Sequence, residues 1–168
     1  MNNIILIGFM GSGKSTVGLR LSYKLELTMI DVDKQIEKEQ NATISQIFTN
    51  YGEEYFRDLE SSYLEKIRNN QTRQIISVGG GLPLRKENRA LLKEMGQVIY
   101  LKASPFTIYS RLEHDTQRPL LQGEQPLEKI SSMMLKREPI YEEAATRIIE
   151  TDGKTFDEII NEIVVGIY

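Results

Sequence analysis

The residues best suited to chemistry in this chain form a glycine-rich stretch at positions 8–15. It reads Gly-Phe-Met-Gly-Ser-Gly-Lys-Ser and fits the pattern G-x-x-x-x-G-K-[ST]. Glycines permit a tight turn with inward backbone N–H groups, and the following helix adds the positive end of its dipole. Lys14 would reach the β- and γ-phosphates of a nucleotide, and the Ser15 hydroxyl would ligate Mg²⁺. A turn without a ligand is the alternative, but the flanking strand and helix patterns favour nucleoside triphosphate binding.

Two aspartates follow the second apolar run of the chain, in the order Asp31-Val32-Asp33. Side chains two apart on an extended segment point the same way, so both could face the nucleotide phosphates. One carboxylate would then lie towards Mg²⁺, and the other would orient an acceptor hydroxyl and accept its proton late. The alternative is a turn-forming aspartate followed by the N-cap of the next helix.

Three consecutive glycines, Gly79, Gly80 and Gly81, follow a third apolar run directly. Without side chains, their backbone amides could touch a small ligand. A sharp turn without a ligand is the alternative, because successive glycines weaken any strand or helix that contains them.

Three arginines are candidates for binding an anionic group. Arg57 lies three residues before Glu60, which could orient its guanidinium, Arg118 precedes Pro119, and Arg137 lies near a helix break. Arginine suits bidentate recognition of a carboxylate or a phosphate. For each arginine taken alone, a solvated surface charge is the alternative.

These candidate residues fall between alternating strand-like and helix-like segments. Five short apolar runs separated by helical patterns predict an α/β fold whose parallel sheet is covered on both faces. In such folds ligands bind at the carboxyl ends of the strands, where the glycines and aspartates lie. The predicted strands are residues 4–7, 27–30, 75–78, 98–101 and 147–149.

Two helix starts are visible in the sequence. Thr43 and Gln46 have the spacing of a capping box, and Ser104-Pro105 places a capping serine before a proline. The buried face of the second of these helices is expected to consist of Phe106, Ile108 and Leu112. After it, the polar stretch from His114 onwards, with its prolines, predicts a mobile connection.

The composition limits the classes of function. The chain has 168 residues, 40% of them hydrophobic and 27% charged, which suits one globular domain. Its net charge of −3 argues against general nucleic-acid binding. The absence of cysteine excludes disulfides and thiolate chemistry, and the single His114, expected at the surface, cannot form a histidine metal cluster. Without a signal-peptide pattern or an apolar span, we expect a cytoplasmic protein that binds no membrane.

The ordered set of motifs resembles the bacterial shikimate kinases over nearly the whole chain. The phosphate loop is shared by many families, whereas the remaining motifs in this order are specific. They are Asp31-Val32-Asp33, Ile44…Ile47-Phe48…Gly52-Glu53…Phe56-Arg57…Glu60, Gly79-Gly80-Gly81, Arg118-Pro119-Leu120-Leu121 and Arg137-Glu138-Pro139-Ile140-Tyr141.

The resemblance implies a three-layer α/β/α P-loop kinase fold, similar to nucleoside monophosphate kinases, with a five-stranded parallel sheet in the order 2-3-1-4-5. It implies a single domain over residues 1–168, with a shikimate-binding region at about 33–61 and a mobile lid at about 112–125. The implied reaction transfers the γ-phosphoryl group of ATP to the 3-hydroxyl of shikimate, on the route to chorismate and the aromatic amino acids. The implied partners are the two substrates and Mg²⁺, and the implied state is a monomer.

The resemblance also assigns roles to single residues. Asp33 would hold the hydroxyls of shikimate, while Lys14 and Arg118 stabilise charge on the transferred group. Ser15 would bind Mg²⁺ directly and Asp31 through water. The carboxylate clamp and its surroundings would be Arg57, Arg137, Gly79, Gly80 and Gly81. The nucleotide would be bound by Gly11, Ser12, Gly13, Lys14, Ser15, Thr16, Arg111, Arg118 and Pro119, with Arg111 and Pro119 flanking the adenine.

Some points stay open at the level of the sequence. The family often has a proline in the loop after the last strand, and residues 151–155 lack one, which leaves the recognition of adenine open. Another small-molecule kinase of the same fold, such as a gluconate-type kinase, is the first alternative, and a non-catalytic nucleotide-binding regulator is the second. A regulatory GTPase fits less well, because the chain has no Asn-Lys-x-Asp sequence.

Overall fold

A parallel sheet forms the centre of the structure, a computed structural model that describes residues 2–113 and 125–167. Within the described residues it has five strands, and every neighbouring pair is parallel. The strands are β1 (Asn3–Ile7), β2 (Thr28–Asp31), β3 (Gln74–Ser77), β4 (Gly96–Lys102) and β5 (Arg147–Glu150). Their order across the sheet is β2-β3-β1-β4-β5, which confirms the predicted order 2-3-1-4-5.

Helices connect successive strands and return the chain to the same end of the sheet, as parallel pairing requires. They are α1 (Lys14–Leu25), α2 (Val32–Gln40), α3 (Ile44–Tyr51), α4 (Glu53–Ile67), α5 (Lys86–Met95), α6 (Pro105–Leu112), α7 (Pro126–Ala144) and α8 (Phe156–Val165). A short 3₁₀ turn, Leu82–Leu84, follows the three glycines.

Both faces of the sheet are covered, because the residues of β1 are all buried and alternate between two cores. Ile5 and Ile7 pack with the apolar side chains of α2 to α7, whereas Ile4 and Leu6 pack with those of α1 and α8. A strand buried on both faces has a continuous apolar sequence, which is the pattern from which β1 was predicted. The three-layer α/β/α arrangement is therefore confirmed.

The predicted helix starts are confirmed, and one predicted core residue is wrong. Thr43 and Gln46 form the reciprocal capping box of α3, and Ser104 caps α6. Phe106, however, is 68% exposed, while Ile108 and Leu112 are buried. At 3.6 residues per turn, Phe106 lies roughly 200° around the helix from Ile108, so the two cannot share a face.

The predicted lid falls largely on residues 114–124, which lie outside the described residues. His114, Arg118 and Pro119 belong to this segment, so their assigned roles stay predictions. Among the helices in the described ranges, none is both long enough and apolar enough to cross a membrane.

Candidate active site

A cavity of about 390 Å³ opens at the carboxyl ends of the sheet strands. It lies where a parallel α/β sheet places its ligands, at the ends of strands whose connections diverge to opposite faces. Its lining includes Met10, Gly11, Gly13, Lys14, Ser15, Thr16, Asp31, Asp33, Gly79 and Gly80. The phosphate loop, both aspartates and the glycine turn thus meet in one place, as the sequence predicts.

The phosphate loop is shaped for an anion. Gly13 adopts a left-handed conformation, with φ of 96°, and occupies the N-cap position of α1 without a side-chain cap. The first N–H groups of α1 therefore point to the loop without a capping oxygen, and the helix dipole favours negative charge there. The loop and the start of α1 can hold nucleotide phosphates.

Lys14 and Ser15, which are predicted to bind phosphate and Mg²⁺, both line the cavity. Lys14 Nζ donates to the carbonyl oxygens of Gly8 at 2.8 Å and Phe9 at 3.1 Å, so the ammonium group folds back over the loop. Ser15 Oγ donates to Asp31 Oδ2 at 3.2 Å. A hydroxyl beside a carboxylate fits Mg²⁺, which prefers oxygen ligands and usually keeps several water molecules and phosphate oxygens.

Asp31 and Asp33 both line the cavity, but the prediction that they lie on one extended segment is wrong. Strand β2 ends at Asp31, whose Oδ1 accepts from the Lys34 N–H at 3.2 Å and caps α2. Asp33 lies in the first turn of α2 rather than on an extended segment. Because the helix starts directly at the strand end, its first turn and its cap both face the site.

Asp33 lies against the first glycine of the turn. A Cβ on Gly79 would lie 2.6 Å from Asp33 Oδ1 and 3.1 Å from Glu60 Oε2. Burial raises the pKa of Asp33, the charge of Asp31 raises it further, and Lys14 opposes the rise. Asp33 Oδ1 and Glu60 Oε2 are buried without a hydrogen-bond partner. Buried polar oxygens are normally paired, so these two suit a ligand that brings hydroxyl donors.

Arg57 is fixed beneath the last glycine of the turn. On α4, its guanidinium donates to Glu60 Oε1 at 2.6 Å and to Glu53 Oε1 at 3.2 Å. A Cβ on Gly81 would lie 2.3 Å from three atoms of that guanidinium, so only glycine allows this approach. Glu60 is fully buried and the Arg57 side chain is 12% exposed, which makes the pair rigid.

Arg137 approaches the middle glycine from α7, on the other side of the turn. A Cβ on Gly80 would lie 3.5 Å from Arg137 Nη1. The guanidinium carbon also lies 5.6 Å from the centre of the Phe9 ring, within the range of a cation–π contact. The three glycines therefore face Asp33, Arg137 and Arg57 in turn, from three separate helices.

Arg111, predicted to flank adenine, lies beside the phosphate loop. Its Nη1 donates to the Gly11 carbonyl oxygen at 2.9 Å. Phe156, at the start of α8, reaches the same loop, since a Cβ on Gly13 would lie 3.4 Å from its ring. Nothing in the sequence marks Phe156 as a neighbour of the phosphate loop.

Glu60 makes stability depend on pH. Burial raises the pKa of Glu60 from 4.5 to about 7, while Arg57 lowers it, Asp33 raises it and Arg85 lowers it. An acid with a raised pKa binds its proton more tightly in the folded protein, so its contribution to stability is lost as the pH rises through about 4.5 to 7. For wild type relative to Glu60→Gln, we expect the free energy of unfolding to fall across this range and to level off above it.

Urea unfolding of both proteins at several pH values measures this difference. Glu53→Gln is the matched control, because Glu53 also pairs with Arg57 but is 59% exposed. For this control the difference from wild type should stay nearly constant. A flat or rising curve for Glu60→Gln would show that the buried carboxyl does not titrate in this range.

Comparisons with known proteins agree with this geometry. A family model described as shikimate kinase matches residues 10–167. A shikimate kinase of Thermodesulfovibrio yellowstonii is 44% identical over 164 residues, which cover 98% of this chain and 94% of the relative. The solved structure of a shikimate kinase from Acinetobacter baumannii in complex with shikimate has a TM-score of 0.92 at 35% identity, covering 99% of this chain and 93% of that one.

A more distant solved structure bears on the alternative that this chain is a gluconate-type kinase. A gluconokinase from Sinorhizobium meliloti has a TM-score of 0.62 at 18% identity, covering 99% of this chain and 91% of that one, and it shares the fold alone. The family model and the relatives separate the two kinds of kinase where the fold does not. The chain belongs to the shikimate kinase family and is an ATP-dependent phosphotransferase.

Proposed function

We propose that this protein transfers the γ-phosphoryl group of ATP to the 3-hydroxyl of shikimate, giving shikimate 3-phosphate and ADP. The observation that carries the proposal is the glycine turn at residues 79–81, whose three members face Asp33, Arg137 and Arg57 beside the phosphate loop. One carboxylate and two guanidiniums suit an acceptor that has hydroxyls at one end and a carboxylate at the other. The relative solved with shikimate bound supports this acceptor.

Asp33 is the proposed hydrogen-bond acceptor for the attacked hydroxyl. As the hydroxyl oxygen bonds to the γ-phosphorus, the bond from that phosphorus to the β–γ bridging oxygen breaks and ADP leaves. The hydroxyl proton passes to the Asp33 carboxylate. The raised pKa of Asp33 makes it a better proton acceptor than an ordinary aspartate. Holding the hydroxyl in line with the γ-phosphate is the larger part of its task.

Arg57 and Arg137 are the proposed clamp for the shikimate carboxylate. Arg57 is already oriented by Glu60 and Glu53, so it loses little freedom when it binds an anion. Its Nε is buried without a hydrogen-bond partner, which leaves a donor for the ligand. The backbone of the glycine turn would line the space between the two arginines.

The phosphate loop and the residues around it would bind the nucleotide and neutralise the charge of its phosphates. Lys14 would exchange its contacts with the Gly8 and Phe9 carbonyls for phosphate oxygens. Arg111 would contact the adenine beside Gly11. The resemblance adds Arg118 for the transferred group and Pro119 for the base, both outside the described residues.

We also propose that Mg²⁺ is required, held by Ser15 directly and by Asp31 through water. The Ser15 hydroxyl and the Asp31 carboxylate lie 3.2 Å apart in the same cavity. When bound, Mg²⁺ neutralises charge on the β- and γ-phosphate oxygens.

Gly81→Ala tests the close approach of the glycine turn to Arg57. The new Cβ would lie 2.3 Å from the guanidinium and must displace it, so we expect the KM for shikimate to rise by about tenfold or more. The KM for ATP should change little, because Arg57 does not line the phosphate loop. Steady-state kinetics with each substrate varied in turn provide both values. Equal losses for ATP and shikimate would point to general disruption instead.

A coupled assay of ADP release with ATP and Mg²⁺ tests the proposed function directly. We expect ADP release that depends on shikimate, and we expect none above background with gluconate as the acceptor. Omitting Mg²⁺ should abolish the activity. No release with shikimate would contradict the proposal, and release with gluconate alone would favour the gluconate-type alternative.

A further inference from the structure

Tyr141 is a fully buried tyrosine whose hydroxyl reaches the glycine turn. On α7 it is 1% exposed, and its ring packs edge-on against Tyr100 with 5.2 Å between centroids. The hydroxyl donates a hydrogen bond of 2.5 Å to the carbonyl oxygen of Gly80. A buried tyrosine hydroxyl usually finds a partner, but this partner is a peptide of the proposed acceptor site.

Tyr141 also lies beside Arg137, four residues earlier on the same helix face. A Cβ on Gly80 would lie 3.4 Å from the Tyr141 hydroxyl and 3.5 Å from Arg137 Nη1, so both side chains end at the same peptide. Burial raises the pKa of Tyr141, while Arg137 lowers it through its charge and a side-chain hydrogen bond. The hydroxyl, whose proton goes to Gly80, therefore lies beside the Arg137 guanidinium.

The two arginines of the proposed clamp are held by different means. Arg57 is oriented by the carboxylates of Glu60 and Glu53. Arg137 instead lies against the Phe9 ring and the Tyr141 hydroxyl. A hydroxyl orients a guanidinium without neutralising it, so Arg137 keeps its charge for an anionic ligand.

We propose that Tyr141 is a positioning residue, whose hydroxyl joins the Arg137 guanidinium to the Gly80 peptide and so fixes that half of the carboxylate clamp. This inference rests on the proposed function, since it assigns Tyr141 to the binding of the shikimate carboxylate. Tyr141 itself acts only through its two neighbours.

The test is Tyr141→Phe, which removes only the hydroxyl and keeps the ring against Tyr100. We expect the KM for shikimate to rise about tenfold, because the Gly80 peptide loses its hydrogen bond and the Arg137 guanidinium loses the hydroxyl beside it. The value of kcat and the KM for ATP should stay within about threefold of wild type, because the Tyr141 hydroxyl lies at the Gly80 peptide and not at the phosphate loop. Tyr63→Phe is the matched control, since Tyr63 is also a buried tyrosine but lies on α4 outside the site.

A double-mutant cycle shows whether the hydroxyl acts through Arg137. In an Arg137→Ala background, adding Tyr141→Phe should change the KM for shikimate by less than about twofold, because the group it positions is gone. Equal effects in both backgrounds would overturn the inference, as would an unchanged KM in the single variant. Thermal unfolding of every variant identifies a general loss of stability, and equal rises in the KM values for shikimate and ATP would overturn the specific role.

The activity of the wild-type protein separates the proposed function from the proposed role of Tyr141. If wild type releases no ADP with shikimate, the proposed function is wrong and this inference falls with it. If wild type is active and Tyr141→Phe matches Tyr63→Phe, only the inference is wrong.

Discussion

Replacing Asp33 by asparagine is expected to lower kcat by about 10² to 10⁴, the range over which a positioned proton acceptor contributes. The amide keeps the size of the side chain, but it holds the hydroxyl less firmly than a carboxylate and cannot take the hydroxyl proton. Binding of both substrates should nevertheless stay within about threefold of wild type. The substitution removes the Asp33 carboxylate beside Gly79 but leaves a side chain of the same size there, so it creates no cavity.

The coupled assay measures kcat for this variant, and calorimetric titration measures the affinity for each substrate. Asp58→Asn is a suitable control, because Asp58 pairs with Arg85 at the surface and is 69% exposed. It should have normal activity. An Asp33→Asn protein that keeps its full turnover would remove Asp33 from the proposed mechanism.

Arg57→Ala is expected to have the second large effect, on shikimate binding and on stability together. The KM for shikimate should rise by about 10² because a bidentate partner of the carboxylate is lost. The KM for ATP should change by less than about threefold. Glu60 would be left fully buried without the partner that favours its charged form, so above pH 7 the free energy of unfolding should fall by about 3 kcal/mol.

A second variant separates these two effects. In Arg57→Ala/Glu60→Gln, the carboxyl that ionises has been removed together with its partner, so most of the stability lost above pH 7 should return. The KM for shikimate should stay high, since the clamp is still incomplete. Recovery of shikimate binding in the double variant would contradict the assignment of Arg57 to the carboxylate.

The sequence predicts the phosphate loop and the sheet well because each rests on a local pattern. The residues of β1 are apolar on both faces, and the loop that follows has a fixed spacing of glycines, lysine and serine. Asp31 and Asp33 both line the cavity, but they do not share an extended segment as predicted. Alternation along a strand cannot show that α2 starts directly at the strand end, where Asp31 is its cap.

The arrangement around the glycine turn could not be predicted from spacing. Asp33, Arg57 and Arg137 come from α2, α4 and α7, and their match to single glycines depends on how these helices pack. The burial of Glu60 was also missed, because a charged residue on a helix is normally exposed. Its three-residue spacing from Arg57 did predict their ion pair.

The long-range contacts of Tyr141 and Phe9 also could not be predicted from sequence spacing. The four-residue spacing of Tyr141 from Arg137 was a usable signal for a contact between them, but its hydrogen bond to Gly80 joins positions 61 residues apart. Phe9 occupies a variable position of the phosphate-loop pattern, and nothing in the sequence marks it as a neighbour of Arg137. Long-range contacts of this kind arise only from the folded core.

The orientation of shikimate is the central feature of the proposed site, with its 3-hydroxyl at Asp33 and its carboxylate between Arg57 and Arg137. Proton-coupled ³¹P NMR of the purified product tests it most directly, because the phosphorus couples to the proton on the carbon that bears the phosphate. We predict coupling to the proton at carbon 3 of shikimate. Coupling to the proton at carbon 4 or carbon 5 would contradict this orientation.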